Sequence, residues 1–150
     1  MSFQQKNIAV SLSIFSLILG FYLIRLFQMN QAGTFNATNV FWLWGIIAIL
    51  AVIGTIVMTI LTHIVGGVIH KATTNEDPRI EDIQDERDQI IDLKGTRVAY
   101  TFSSLGVALA MLTYVFGHPP LVMFSLLILS GVLAQIAADI WRLMLYRRGF

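Results

Sequence analysis

Residues 40–69 read VFWLWGIIAILAVIGTIVMTILTHIVGGVI and contain no aspartate, glutamate, lysine or arginine. About 20 apolar helical residues suffice to cross a hydrocarbon core of ~30 Å, so this run is longer than one membrane span requires. A backbone in lipid has no water to bond with, and a helix satisfies its N–H and C=O groups within one segment. The run therefore predicts a membrane-spanning helix that tilts or extends past the bilayer.

Three further apolar segments accompany it, so that spans are predicted at about residues 8–27, 40–69, 98–116 and 121–140. The overall composition agrees, because 56% of the residues are hydrophobic and 13% are charged. Soluble domains have roughly 45–50% and about 25%. The sequence therefore predicts a single domain over residues 1–150 with an all-α fold, an integral membrane four-helix bundle.

The composition also excludes several kinds of site. The absence of cysteine excludes disulfides, iron–sulfur clusters and catalytic thiols. His63 and His70 are separated by about 10 Å of helical rise, too far to share one metal ion. The chain has no Gly-rich phosphate loop, HExxH or Gly-x-Ser-x-Gly motif. We therefore expect no enzyme, cofactor or metal, and a net charge of +1 argues against direct binding of nucleic acid.

The basic residues predict the orientation. If both termini lie on one side of the membrane, nine of the ten lysines and arginines lie there too, and only Arg25 lies towards the other side. The positive-inside rule then places both termini and the connection 71–96 in the cytoplasm of a cell (inner) membrane protein. Arg25 is close enough to its helix end to extend its side chain to the lipid headgroups.

Small residues recur within the spans at steps of three and four, which places each set on one helix face. Small side chains let helix backbones approach closely in lipid, and this spacing favours left-handed packing. The pattern predicts either a bundle packed within one chain or contacts between copies in a homo-oligomer. The predicted packing residues are Gly45, Thr55 and Thr59 in the second span, Ser103, Gly106 and Ala110 in the third, and Gly131 and Ala134 in the fourth.

Asp139 is the only acidic residue within the four spans. Gln135 and Arg142 lie on the same helical face, four residues before it and three after it. An intramembrane carboxylate is a candidate for binding or transferring an ion or a proton. An Asp–Arg pair near the interface is also an ordinary end to a helix, so both interpretations stay open.

The connection 71–96 contains eight acidic and four basic residues, a net charge of −4. Asp77-Pro78 is typical of a helix start, and a helix from about Pro78 would run almost continuously into the third span, with Gly95 as an interruption. The carboxylates of Glu81, Asp85, Asp88 and Asp92 would share one face of this acidic amphipathic helix. Such a face is a docking surface for a basic partner, a weak divalent-ion site or simply a solvated surface.

The segment DERDQIIDLK at residues 85–94, followed by RVAY at 97–100, resembles a signature of small prokaryotic membrane proteins. These are grouped as domain of unknown function 2178. The resemblance implies several helices with the signature leading into a span, and a membrane partner for a helix-turn-helix regulator.

These observations favour a non-enzymatic membrane protein that engages a partner through its acidic helix. The partner would be a cytoplasmic regulator, or a membrane complex of which this chain is an accessory subunit. The alternative is a homo-oligomeric transporter or channel for a small solute or ion that uses Gln135, Asp139 and Arg142. The predicted partner-binding residues are Glu81, Asp85, Arg87, Asp88, Asp92 and Lys94.

Overall fold

The computed structural model describes residues 3–74 and 86–148 of the chain. Nearly all of these residues belong to four helices, which are α1 (Phe3–Gln31), α2 (Ala37–Thr74), α3 (Glu86–Val115) and α4 (Pro120–Arg147). No strand occurs in either described range. The prediction of an all-α, four-helix fold is confirmed.

All four helices are long and apolar enough to cross a membrane, as the sequence predicted. Even α4, the shortest with 28 residues, is about 42 Å long at ~1.5 Å per residue. The helices also carry large apolar side chains on their outer surfaces, and Leu17 and Val115 are each 75% exposed. In lipid such side chains are surrounded by acyl chains, so the exposure is what a multi-pass membrane protein requires.

The two short turns between helices use residues suited to their conformations. Gly33 after α1 and Gly117 after α3 have φ values of +64° and +84°, in the left-handed region that glycine enters without steric cost. Asn36 caps α2, because its side-chain oxygen accepts a 2.9 Å hydrogen bond from the Asn39 N–H. Pro120 opens α4, where its missing N–H costs no helical hydrogen bond.

Helix α4 packs against each of the other three helices. It packs most extensively against α3 and also against α1, while α2 packs mainly on α1. The main core therefore lies between α1, α2 and α4, and it contains the buried side chains Ile18, Tyr22, Leu43, Ile47 and Val132. The Tyr22 hydroxyl donates a 2.7 Å hydrogen bond to the carbonyl oxygen of Ser125, which ties α1 to α4.

Small residues form the contact between α3 and α4. Gly106 packs against Ser130 so closely that a Cβ at this position would overlap the serine side chain. Ala110 in α3 and Ala134 in α4 are buried, and Ser103 is half-buried. Four-residue steps place Ala134 on the same face of α4 as Ser130, so these predicted residues lie where two backbones approach closely.

The packing predicted for α2 within one chain is corrected by the structure. A Cβ on Gly45 would meet no heavy atom within 4 Å, and the exposed Thr55 hydroxyl donates to the Val52 carbonyl oxygen of its own helix. The buried residues Leu43 and Ile47 lie on the side of α2 opposite Gly45. Apolar residues of every size occur along α2, so small size alone did not distinguish the packed side from the exposed side.

Two further predicted packing positions are Gly131 in α4 and Thr59 in α2. A Cβ on Gly131 would also meet no heavy atom within 4 Å, so this glycine does not provide a close approach within the chain. The side chain of Thr59 lies outside the described set. The left-handed sense of the helix crossings stays a prediction.

The acidic segment is part of the third spanning helix. Helix α3 runs without a break from Glu86 through Gly95 to Val115, so Gly95 does not interrupt it. The predicted start at Pro78 falls outside the described residues, as do Glu81 and Asp85. The described residues that precede the third span therefore belong to the same continuous helix as the span.

Candidate functional site

A network of polar side chains at one end of the bundle has Asp139 at its centre. Only 2% of Asp139 is exposed. Its Oδ2 accepts a 2.7 Å hydrogen bond from the Ser11 hydroxyl of α1, and its Oδ1 accepts bonds from Gln135 Nε2 at 3.1 Å and Arg142 Nη1 at 3.0 Å. Three donors therefore surround this carboxylate, and the charge on Arg142 offsets its own.

Arg142 connects this buried carboxylate to α3. Its Nη2 lies 2.8 Å from Oδ1 of Asp92 and 3.1 Å from the hydroxyl of Thr96. The Arg142 side chain is 14% exposed, whereas that of Asp92 is 65% exposed. One planar guanidinium thus joins a buried carboxylate of α4 to a largely exposed carboxylate of α3, which a lysine could not do in the same geometry.

Gly95 makes room for this guanidinium. A Cβ at Gly95 would overlap the Cγ and Nε atoms of Arg142. The Arg142 Nε is itself buried without a hydrogen-bond acceptor among the described residues. The absence of a side chain at position 95 therefore lets the arginine lie flat along α3 and reach both carboxylates.

A second contact fixes the first turn of α3. The Tyr146 hydroxyl donates a 2.6 Å hydrogen bond to Oδ1 of Asp88, and the Arg87 guanidinium lies 5.8 Å from the centre of the Tyr146 ring. Ile91 is buried, packs with Leu145 and Tyr146, and contacts Ile8 of α1. The start of α3 is thus held by polar and apolar contacts together.

The predicted partner-binding residues do not all face solvent. Asp88 and Asp92 share a face, as their spacing predicted, and α4 binds both, Asp88 through Tyr146 and Asp92 through Arg142, although the Asp92 side chain stays 65% exposed. Arg87 is exposed and Lys94 is half-buried. The outward side of the segment instead presents Glu86, Arg87, Gln89, Ile90 and Leu93.

Of the three residues predicted for an ion pathway, Gln135 and Arg142 each contact Asp139. Gln135 and Arg142 both donate to Oδ1 of Asp139. With three close donors and only 2% of its surface exposed, Asp139 joins α1 to α4 through its carboxylate. Within the described ranges, no three histidine, cysteine, aspartate or glutamate side chains are grouped so that they could hold one metal ion.

Sequence reasoning missed the partners from other helices, which are Ser11, Thr96 and Tyr146. Hydroxyl residues are common in membrane spans, and nothing in their local sequence selects these three. The sequence could have identified Gly95 as a packing position. It precedes Ala99 by four residues and so extends the small-residue spacing of α3 by one helical turn.

Comparison with protein-family models, with curated proteins and with solved structures finds no match to this chain.

Proposed function

We propose that this chain is a non-enzymatic membrane protein that holds a partner through the acidic start of α3. The observation that carries the proposal is the Asp92–Arg142–Asp139 bridge, with distances of 2.8 Å and 3.0 Å. It attaches the acidic segment to the last helix at a fixed rotation while leaving 65% of the Asp92 side chain exposed. A rigid, partly exposed helix face binds a partner without first losing the entropy of ordering itself.

The outward side of the same segment supports this proposal. Glu86, Arg87 and Gln89 are exposed beside two apolar residues, Ile90 at 46% and Leu93 at 71%. Apolar contacts flanked by charges are the composition of protein interfaces, with affinity from the apolar part and orientation from the charged part. The net charge of −4 over residues 71–96 favours a basic partner surface.

Two features of the sequence bear on the side of the membrane and on the class of partner. Nine of the ten lysines and arginines lie near the termini or in the connection between the second and third spans and its border with the third. This excess favours a cytoplasmic location for the acidic start of α3 and for both termini. The resemblance of residues 85–100 to the domain of unknown function 2178 signature favours a helix-turn-helix regulator held at the membrane. A subunit of a larger membrane complex would use the same surface.

Affinity capture from native membranes in mild detergent, followed by quantitative mass spectrometry, tests the proposal. We would compare the wild type with a Glu86→Lys/Gln89→Lys variant, which changes the charge at two exposed positions by +3 without touching Asp92 or Arg142. A Gln31→Lys variant, exposed at the opposite end of α1, is the matched control. The proposal requires a protein that the control recovers at wild-type levels and the double variant loses.

Equal recovery of every protein by the two variants would contradict partner binding through α3. The transport alternative is tested on the same preparations after reconstitution into liposomes. A solute or ion flux that Asp139→Asn abolishes and Glu86→Lys/Gln89→Lys leaves intact would replace the present proposal with that alternative.

A further inference from the structure

Among the residues that the structure describes, Arg25 is the only charged one at the end of the bundle opposite the Asp139 network. No other aspartate, glutamate, lysine or arginine occurs between residues 7 and 70, and none occurs between 98 and 138. Arg25 is 14 positions beyond Ser11, which contacts Asp139, and this corresponds to about 21 Å along α1. Within residues 3–74 and 86–148, no carboxylate therefore lies at this level to neutralise the guanidinium.

The guanidinium also has few partners within the protein. Its Nη1 donates a long, 3.4 Å hydrogen bond to the Gln28 side chain, and its carbon lies 6.0 Å from the centre of the Phe21 ring. A guanidinium has five N–H donors in a fixed plane. The described residues therefore use only a small part of its hydrogen-bonding capacity and do not neutralise its charge.

A cavity of about 350 Å³ lies beside Arg25, between the end of α1 and the start of α2. Gln28, Asn39 and Trp42 line its polar part, and Leu43 and Ile46 line the apolar part. Trp42 is 71% exposed, as tryptophans are where a helix passes through the headgroup level of a bilayer. The cavity thus combines one unneutralised cation and amide groups with an apolar wall along α2.

We propose that this cavity binds the phosphate headgroup of an anionic membrane lipid. The planar guanidinium of Arg25 matches the oxygens of a phosphate in a bidentate arrangement. Gln28 lies beside the guanidinium at the headgroup level, and Leu43 and Ile46 contact the first carbons of the acyl chain. A zwitterionic lipid presents the same phosphate together with a cationic group, which Arg25 repels. The site therefore selects lipids with a net negative charge in the leaflet opposite the Asp139 network.

Tryptophan fluorescence tests this assignment because Trp42 lies in the cavity wall, whereas Trp44, on the same helix, lines a separate apolar cavity against α4. A Trp42-only protein is obtained with Trp44→Phe and Trp141→Phe, and a Trp44-only control with Trp42→Phe and Trp141→Phe. Both are reconstituted in phosphatidylcholine vesicles. Brominated phosphatidylglycerol or brominated phosphatidylcholine is then added as the quencher, and relative binding constants are measured.

At Trp42 we expect about a fivefold preference for the anionic lipid, the size typical of one basic residue at an anionic membrane surface. Arg25→Gln reduces the preference to about one, and Arg25→Lys retains part of it. Trp44 shows no preference, and excess inorganic phosphate leaves the result unchanged.

Equal quenching of Trp42 by the two lipids overturns the proposal, and so does a preference that persists in Arg25→Gln. Loss of the preference in excess phosphate would reassign the cavity to a soluble phosphate compound. The contrast between Trp42 and Trp44 needs no substitution at Arg25, so it decides the question even if Arg25→Gln does not fold.

Discussion

Nη2 of Arg142 lies 2.8 Å from Oδ1 of Asp92, so a cation near the end of the last helix holds the acidic start of the third. The same guanidinium holds Asp139 through Nη1 at 3.0 Å. The two carboxylates differ sharply in environment, because the Asp139 side chain is 3% exposed and the Asp92 side chain 65%. The inner pair should therefore dominate stability, and the outer pair should set the orientation of α3.

Replacing Arg142 by glutamine should destabilise the protein by about 3–5 kcal/mol, because it leaves a buried carboxylate without its counter-charge. Asp92→Asn, at the exposed end of the same bridge, should cost about 1 kcal/mol or less. Thermal unfolding in detergent measures both effects. Adding Asp139→Asn to Arg142→Gln should recover part of the loss by removing the uncompensated charge. Similar losses for Arg142→Gln and Asp92→Asn would contradict the assignment of the buried pair as the dominant one.

The Ser11 hydroxyl should matter far more than that of Ser13, two residues along the same helix. Ser11 donates a 2.7 Å hydrogen bond to the Asp139 carboxylate, whereas Ser13 donates to the Ala9 carbonyl oxygen of its own helix. Ser11→Ala should cost about 1.5–3 kcal/mol, the range for hydrogen bonds to charged groups, and Ser13→Ala should be close to neutral. Chemical unfolding in mixed micelles would measure the difference. An equal effect of the two substitutions would exclude Ser11 as a significant partner of Asp139.

The sequence predicted the parts of this site that lie within one helix. Gln135, Asp139 and Arg142 are separated by four and three residues, and a helix brings them together whatever its neighbours are. The contacts of Arg142 with Asp92 and of Asp139 with Ser11 depend on how three helices pack. Packing in lipid depends on shape more than on apolar character, and shape is poorly encoded in the local sequence.

The second and third helices illustrate the same limit. In α3 the small residues lie on the side that packs, because Gly106 and Gly95 contact bulkier groups of α4. In α2 a Cβ on Gly45 would meet no heavy atom within 4 Å, so this small residue lies away from the neighbouring helices. The number and type of helices followed from hydropathy alone, whereas the face that each helix presents required the structure.

Glycine-to-alanine substitutions should separate packed positions from open ones. Gly95→Ala and Gly106→Ala place a methyl group against Arg142 and Ser130, and overpacking of this kind costs about 1–3 kcal/mol. Gly45→Ala and Gly131→Ala meet no atom within 4 Å, and should be neutral or stabilising by up to about 1 kcal/mol because alanine favours the helix. Melting temperatures of the four variants in one detergent test the division. A lower melting temperature for Gly45→Ala would show that its face is packed, for example against a second copy of the chain.

Tyr146→Phe should loosen the start of α3 without unfolding the bundle. The substitution keeps the ring that packs on Ile91 and removes only the hydroxyl that donates a 2.6 Å hydrogen bond to Asp88. We expect a loss of about 1–2 kcal/mol, since the acceptor is charged but half-buried. Hydrogen exchange should accelerate in the first turns of α3 while the amides near Gly106 keep their protection. Tyr100→Phe, at a residue 71% exposed on the same helix, is the matched control. Unchanged exchange near Asp88 in Tyr146→Phe would mean that Ile91 and Arg142 alone hold this segment.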